Sequence, residues 1–164
     1  MNLFYGSSFR QHQFIKFPAG GTIGQYVPFN FCPRSVMLFV IHKGHDDFQG
    51  GQERILHFIS DIDTIRLTNQ NCLFTDIHAD LDYAEQIDDF IRISELDLNR
   101  IINERYWQDF KEEKQAEFLV FESVQWQSIQ QIGVKNQAIA DEVTVLLQGV
   151  VHKPEVIVRP EWYY

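Results

Sequence analysis

The chain has 164 residues, 45 % of them hydrophobic and 23 % charged, and carries a formal net charge of −9. That length and balance describe one globular domain, residues 1–164, large enough to bury a core, and exclude a disordered or collagen-like chain. The acidic sign argues against broad nonspecific attraction to nucleic acid, while leaving room for a local basic groove.

No stretch approaches the ~18 consecutive apolar residues of a membrane span, and the N-terminus lacks the ordered regions of a secretory signal. Cys32 and Cys72 form no disulfide framework and have no zinc-ligand spacing. A reduced, cytoplasmic setting is expected, with no membrane and no metal. Aromatic residues reach 14 %, including 14 Phe, which suits both a packed core and stacking surfaces for planar ligands.

In chain order, residues 1–17 show no clean period and carry one arginine, Arg10. Residues 18–24 are a glycine-bearing turn. The segment after this turn reads as extended rather than helical, so a phosphate-cradling loop is excluded. Residues 26–31 read as a strand with Pro28 at an edge or bulge. Residues 35–41 could be a buried strand or a helix by pattern; Ser35 as N-cap and Gly44 just past the end favour a short helix. Arg34 then sits at the strand-to-helix junction.

Residues 54–59 and 72–74 read as strands, with Asp61 capping a helix between them through Leu67. Residues 83–106 read as an acidic helical region. Residues 115–121 form a strand with one carboxylate, Glu117, among apolar neighbours. Burying it costs desolvation free energy unless it faces water, is paired or lines a site. An edge strand with Glu117 in solvent and a catalytic glutamate in a cleft both fit. Residues 126–131 suggest a helical turn and 132–134 a strand. Asn136 caps a helix with apolar Ala140, Val143, Leu146 and Leu147, ended by Gly149, and residues 156–158 form a last strand. Interspersed strands and helices give a mixed α+β domain.

Two clusters invite chemistry. His42, His45, Asp46 and Asp47 offer metal-ligating groups, but Gly44 interrupts them and no second cluster completes a site, so a solvated loop is expected. Arg105, Tyr106 and Trp107 can stack bases or a nicotinamide ring, or simply end a helix over core aromatics.

Six segments taken together carry a resemblance: residues 19–29, 32–38, 74–79, 105–107, 115–120 and 160–164. In this order they closely resemble the DarT family, toxins of bacterial toxin–antitoxin pairs that ADP-ribosylate DNA bases. The resemblance implies an ADP-ribosyltransferase-like split mixed sheet with surrounding helices, NAD as co-substrate and single-stranded DNA as acceptor. A macrodomain antitoxin, the family's usual DarG-like partner, is implied as well. Glu117 matches the family's catalytic glutamate, and Arg10 an arginine implicated in the active site and in holding NAD. Tyr26 and Met37 fall on the NAD side. Arg34, His78, Tyr106 and Trp107 fall on the DNA side.

The sequence departs from the family at its start. The opening strand that grips NAD is missing, and residues 1–5 are no substitute by residue type. This implies an exposed sheet edge and admits a second expectation, an inactive homologue that keeps DNA or antitoxin binding. Val36 also stands where the family commonly has proline at the first turn of a helix.

Overall fold

Among the described residues, eight short strands build the protein's frame. The structure, a computed structural model, describes residues 2–3, 13–17, 19–45, 48, 50–68 and 71–164. The strands are β1 (Asn2–Leu3), β2 (Tyr26–Asn30), β3 (His57–Ile59), β4 (Cys72–Thr75), β5 (Gln86–Ile87), β6 (Glu117–Phe121), β7 (Gln131–Val134) and β8 (Glu155–Val158). They form one mixed sheet in the order β5-β4-β6-β2-β1-β3-β7-β8. Only β7 and β8 run parallel. The two-residue β1 joins the halves, pairing Asn2 with Asn30 on one side and with Ile59 on the other. The slot between β2 and β3 is therefore filled, and the sheet edge implied by a missing opening strand is not there.

Around the sheet lie α1 (Val36–Lys43), α2 (Ile62–Thr68), α3 (Leu98–Asn103) and α4 (Gln137–Leu146). Their starts obey local chemistry. Ser35, Asp61, Asp97 and Asn136 each accept a backbone N–H of the first turn, from Leu38, Thr64, Arg100 and Ile139. Gly44 ends α1 at φ +91°, a conformation that disfavours any side chain. The helix expected from Ser35 to Gly44 is the one found.

The acidic stretch 83–106 is not one helix. It holds β5, a 3-10 segment from Phe90 to Glu95, and α3. Asp89 and Asp97 each bond to backbone N–H groups just downstream, restarting the chain twice. Ile87 is drawn into the sheet opposite Phe74. Pro28 also differs from expectation, because β2 is an interior strand. Among the described residues the ladder with β1 pairs Phe29 and Asn30 and not Pro28, so no described bond needs the missing Pro28 N–H.

Alternation along the strands divides the core. Phe29, Cys72, Phe74, Phe118 and Val120 face one side, beneath Ile65 of α2 and the partly buried Phe90. Tyr26, Leu73 and Leu119 face the other, beneath Ile15, Ile23 and Ala79. A third cluster packs α4 onto β7 through Ile132, Val134, Ile139, Ala140 and Val143. Leu146, expected on the buried stripe of α4, is exposed. Cys32 and Cys72 are both buried thiols.

Gly133 of β7 accepts the closing segment at short range: a Cβ there would lie 2.5 Å from a ring carbon of Trp162. Opposite it, His57 is fully buried, 4.8 Å from the Tyr163 ring. Burial pushes the His57 imidazolium pKa down to about 4. The unfolded chain then binds the proton that the folded one refuses, so stability is full above about pH 6.5 and falls as pH drops towards 4. Urea unfolding should show a loss of roughly 3 kcal/mol across that window, much reduced in His57→Leu.

Candidate active site

Glu117 opens β6, an interior strand between β4 and β2, so the edge-strand reading of this carboxylate fails. It is 2 % exposed. Its Oε2 accepts the Ala79 backbone N–H at 3.0 Å, and its own N–H donates to Thr75 Oγ1 at 3.3 Å. Thr75 in turn donates to Ile77 O at 2.7 Å. The 75–79 turn is thus folded back over the start of β6, and its amide holds the carboxylate in one place. Such a bond fixes the direction of the carboxylate.

Register sets the neighbours. Phe118 pairs with Phe74, so Thr75 is next in line beside Glu117 on one flank, and Asn30 is its Cα partner on the other. Thr75, Glu117 and Asn30 make a polar row at the end of otherwise apolar strands. Residues directly opposite in an antiparallel pair share a face. The row therefore sits on the face that carries Leu119, Leu73 and Tyr26.

Lys114 anchors the approach to β6. It is buried, and its Nζ donates to Ile101 O and to Glu104 O at the end of α3. At the other end Glu122 takes a left-handed φ of 59° and donates its N–H to Gln25 O. Both ends of the strand are fixed.

His78 lies half-buried one residue before the amide that holds Glu117, and its Nδ1 accepts Asp80 N–H at 3.1 Å. Arg34 precedes α1 and stacks its guanidinium 4.2 Å over the ring of Tyr164. Tyr164 OH accepts the Trp107 indole N–H at 3.1 Å and donates to Arg34 O at 3.2 Å. Trp107, 6 % exposed, packs with Val36 and Phe110 and has no open ring face for a base. Its place is inside, bonded to the Tyr164 hydroxyl, not on the surface. Tyr106 is the reverse, 79 % exposed. Both residues lie beyond α3, which ends at Asn103.

Met37 packs against the Leu38–Tyr163 cluster. Tyr26 stands at the far end of β2 from Glu117, with its hydroxyl donated to Gly20 O at 2.9 Å. It lines a cavity of about 180 Å3 with Phe17, Arg66, Cys72 and Phe90. A second cavity of about 350 Å3, rimmed by Asp76, Arg100, Glu112 and Glu113, lies behind the 75–79 turn. Glu117 lines neither of them. Arg10 lies outside the described residues. Among the described residues no group of three His, Cys, Asp or Glu side chains could hold a metal ion, and no helix is long and apolar enough to cross a membrane.

Sequence reasoning named Glu117, Arg34 and His78 as candidates but not the groups that hold them. The Ala79 amide carries no residue signature. Thr75 and Asn30 were visible only as polar residues ending apolar strands.

Known proteins share this fold. The family model described as "ssDNA thymidine ADP-ribosyltransferase, DarT" matches residues 7–164. A DNA ADP-ribosyl transferase of Thermus sp. (strain 2.9) is 39 % identical over 152 residues, 90 % of this chain and 72 % of the relative. One from Thermus aquaticus is 36 % identical over 167 residues, 99 % of this chain and 75 % of the relative. The structure of Thermus sp. 2.9 DarT in complex with ADP-ribosylated ssDNA matches with a TM-score of 0.90 at 36 % identity, covering 95 % of this chain and 77 % of that one. The same protein in complex with NAD+ also gives 0.90 at 36 % identity, covering 98 % and 83 %. With a buried, amide-held glutamate at the polar end of a mixed sheet, and a match running over nearly all its length, the chain belongs to the DarT family of DNA ADP-ribosyltransferases.

Proposed function

We propose that this protein transfers the ADP-ribose of NAD to a thymine base of single-stranded DNA, as the toxin of a pair whose antitoxin carries a macrodomain. The observation that carries the reading is Glu117, buried at the polar end of β6 and aimed by the Ala79 amide. The relatives' complexes with NAD+ and with ADP-ribosylated ssDNA support the same co-substrate and acceptor for this chain.

The chemistry asks for such a carboxylate. As the bond between C1′ and the nicotinamide nitrogen breaks, nicotinamide leaves with the electron pair and positive charge develops on the ribose. A fixed carboxylate in a water-poor site stabilises that charge more than bulk water does. The acceptor nitrogen then bonds to C1′ and loses its proton, for which Glu117 is the nearby base. Arg34, laid on Tyr164, and the exposed ring of Tyr106 suit a backbone phosphate and a stacked base. Arg10 is the proposed partner of the NAD phosphates or ribose.

Mass spectrometry of oligonucleotides incubated with the protein tests this. An ADP-ribose adduct should appear on thymidine-bearing single strands, require NAD, and be weaker on duplex. Equal labelling of duplex, or labelling of protein and RNA in preference to DNA, would overturn it. The rival reading, an inactive module, is overturned by saturable NAD binding in a calorimetric titration together with an adduct. For the toxin role, co-expression with a macrodomain hydrolase should restore growth of cells that the protein alone arrests.

A further inference from the structure

We propose that Asn30 reads the acceptor base beside Glu117, an inference that rests on the DNA-base transfer proposed above. Asn30 closes β2, whose other residues are Tyr26, Val27, Pro28 and Phe29. It is the Cα partner of Glu117 and is 8 % exposed. Directly opposed side chains in an antiparallel pair lie roughly 5 Å apart on the same face.

Among the described residues the Asn30 carboxamide makes no hydrogen bond. The residue is mostly buried, but its carboxamide is not among the fully buried unpartnered groups, so its donors and acceptor stay within reach of a ligand. Thr75, on the other flank of Glu117, already donates to Ile77 O and accepts from the Glu117 N–H. Asn30 is thus the neighbouring side chain with donors and an acceptor left for a ligand.

Two features assign that ligand to the acceptor side. The chain runs from Asn30 within four residues to Arg34, whose guanidinium lies on the Tyr164 ring, an arrangement suited to a nucleotide strand. The carboxamide also fits the base. In thymine the reacting ring N–H is flanked by carbonyl oxygens, and its proton loss spreads negative charge onto them. An Nδ2–H donated to one of those oxygens stabilises the anion that attacks C1′, while Glu117 takes the proton. Cytosine presents an exocyclic amine instead of the O4 acceptor, and so meets donor with donor.

The test compares wild type, Asn30→Ala and Asn30→Asp on single-stranded oligonucleotides containing one thymidine or one cytidine, with NAD affinity measured separately by calorimetry. For Asn30→Ala, kcat/KM on the thymidine strand should drop about tenfold to a hundredfold, with NAD affinity within about threefold of wild type. Asn30→Asp keeps the shape but removes the donor. It should lose at least as much, and the acid limb of its pH profile should move upward because two carboxylates then share the site. Unchanged thymidine labelling in both variants, or a loss of NAD affinity matching the loss of transfer in the isosteric Asp variant, overturns the role for Asn30 while transfer itself stands. If wild type labels neither strand, the transfer reading fails and this inference with it. Loss of NAD binding in Ala alone marks misfolding, and the Asp variant then decides.

Discussion

Glu117→Gln should lower DNA ADP-ribosylation by about a hundredfold to a thousandfold, the scale seen when a preorganised charge-stabilising group is removed. The substitution is nearly isosteric, and the side-chain oxygen can still accept the Ala79 N–H at the place it occupies now. Stability should therefore change by less than about 1 kcal/mol. The two readouts together separate chemistry from folding. Adduct counting by mass spectrometry at fixed time measures the first, and urea unfolding the second. A variant that folds and keeps more than a tenth of wild-type labelling would remove Glu117 from the reacting centre.

Phe118→Ala, one residue along, should do the opposite and cost about 3–5 kcal/mol of folding stability. Phe118 is fully buried, with its ring centroid 6.2 Å from Phe29 and 5.8 Å from Phe90. It belongs to the face that β2, β4 and β6 present to α2 and the 3-10 segment. Interior strands on both sides leave the cavity little room to collapse. Equilibrium denaturation measures the loss directly, and a cost below about 1 kcal/mol would contradict this packing. Neighbours on one strand thus carry the two largest expected effects, one on rate and one on stability.

Much of this was legible from residue types. Ser35, Asp61 and Asn136 announced three helices because a cap acts within one turn and needs no distant partner. Glu117 drew attention because a carboxylate among apolar β-formers demands an explanation. The region 83–106 misled for the converse reason. Its helical spacing was local, while the pull of the sheet edge on Ile87 came from Phe74, far away in sequence. Pro28 was judged by a rule about strand edges, but β2 is interior, and what matters is which of its residues the β1 ladder pairs, Phe29 and Asn30 among the described residues.

The candidate site was half legible. Its acid, its arginine and its histidine are residue types with chemistry attached. The Ala79 amide is a backbone group, which any residue could supply, and only the folded turn shows where it points. Trp107 looked like a stacking surface because its position beside Arg105 and Tyr106 said nothing of burial. Its indole N–H is used inward, on Tyr164.

The pinned ends of β6 have one further consequence. A strand has only two faces, so its phase is a matter of parity. Shifting the stretch between Lys114 and Glu122 by one residue would turn Phe118 to the face that now carries Glu117 and Glu117 to the face of Phe29 and Phe74. Shifting it by two would restore the faces but move the acid a full step from the Ala79 amide. The buried ammonium on α3 and the left-handed residue at the other end act as two stops on a ratchet. A single-residue deletion between them should therefore be far more damaging than most substitutions there, because no gradual adjustment connects an odd register to an even one.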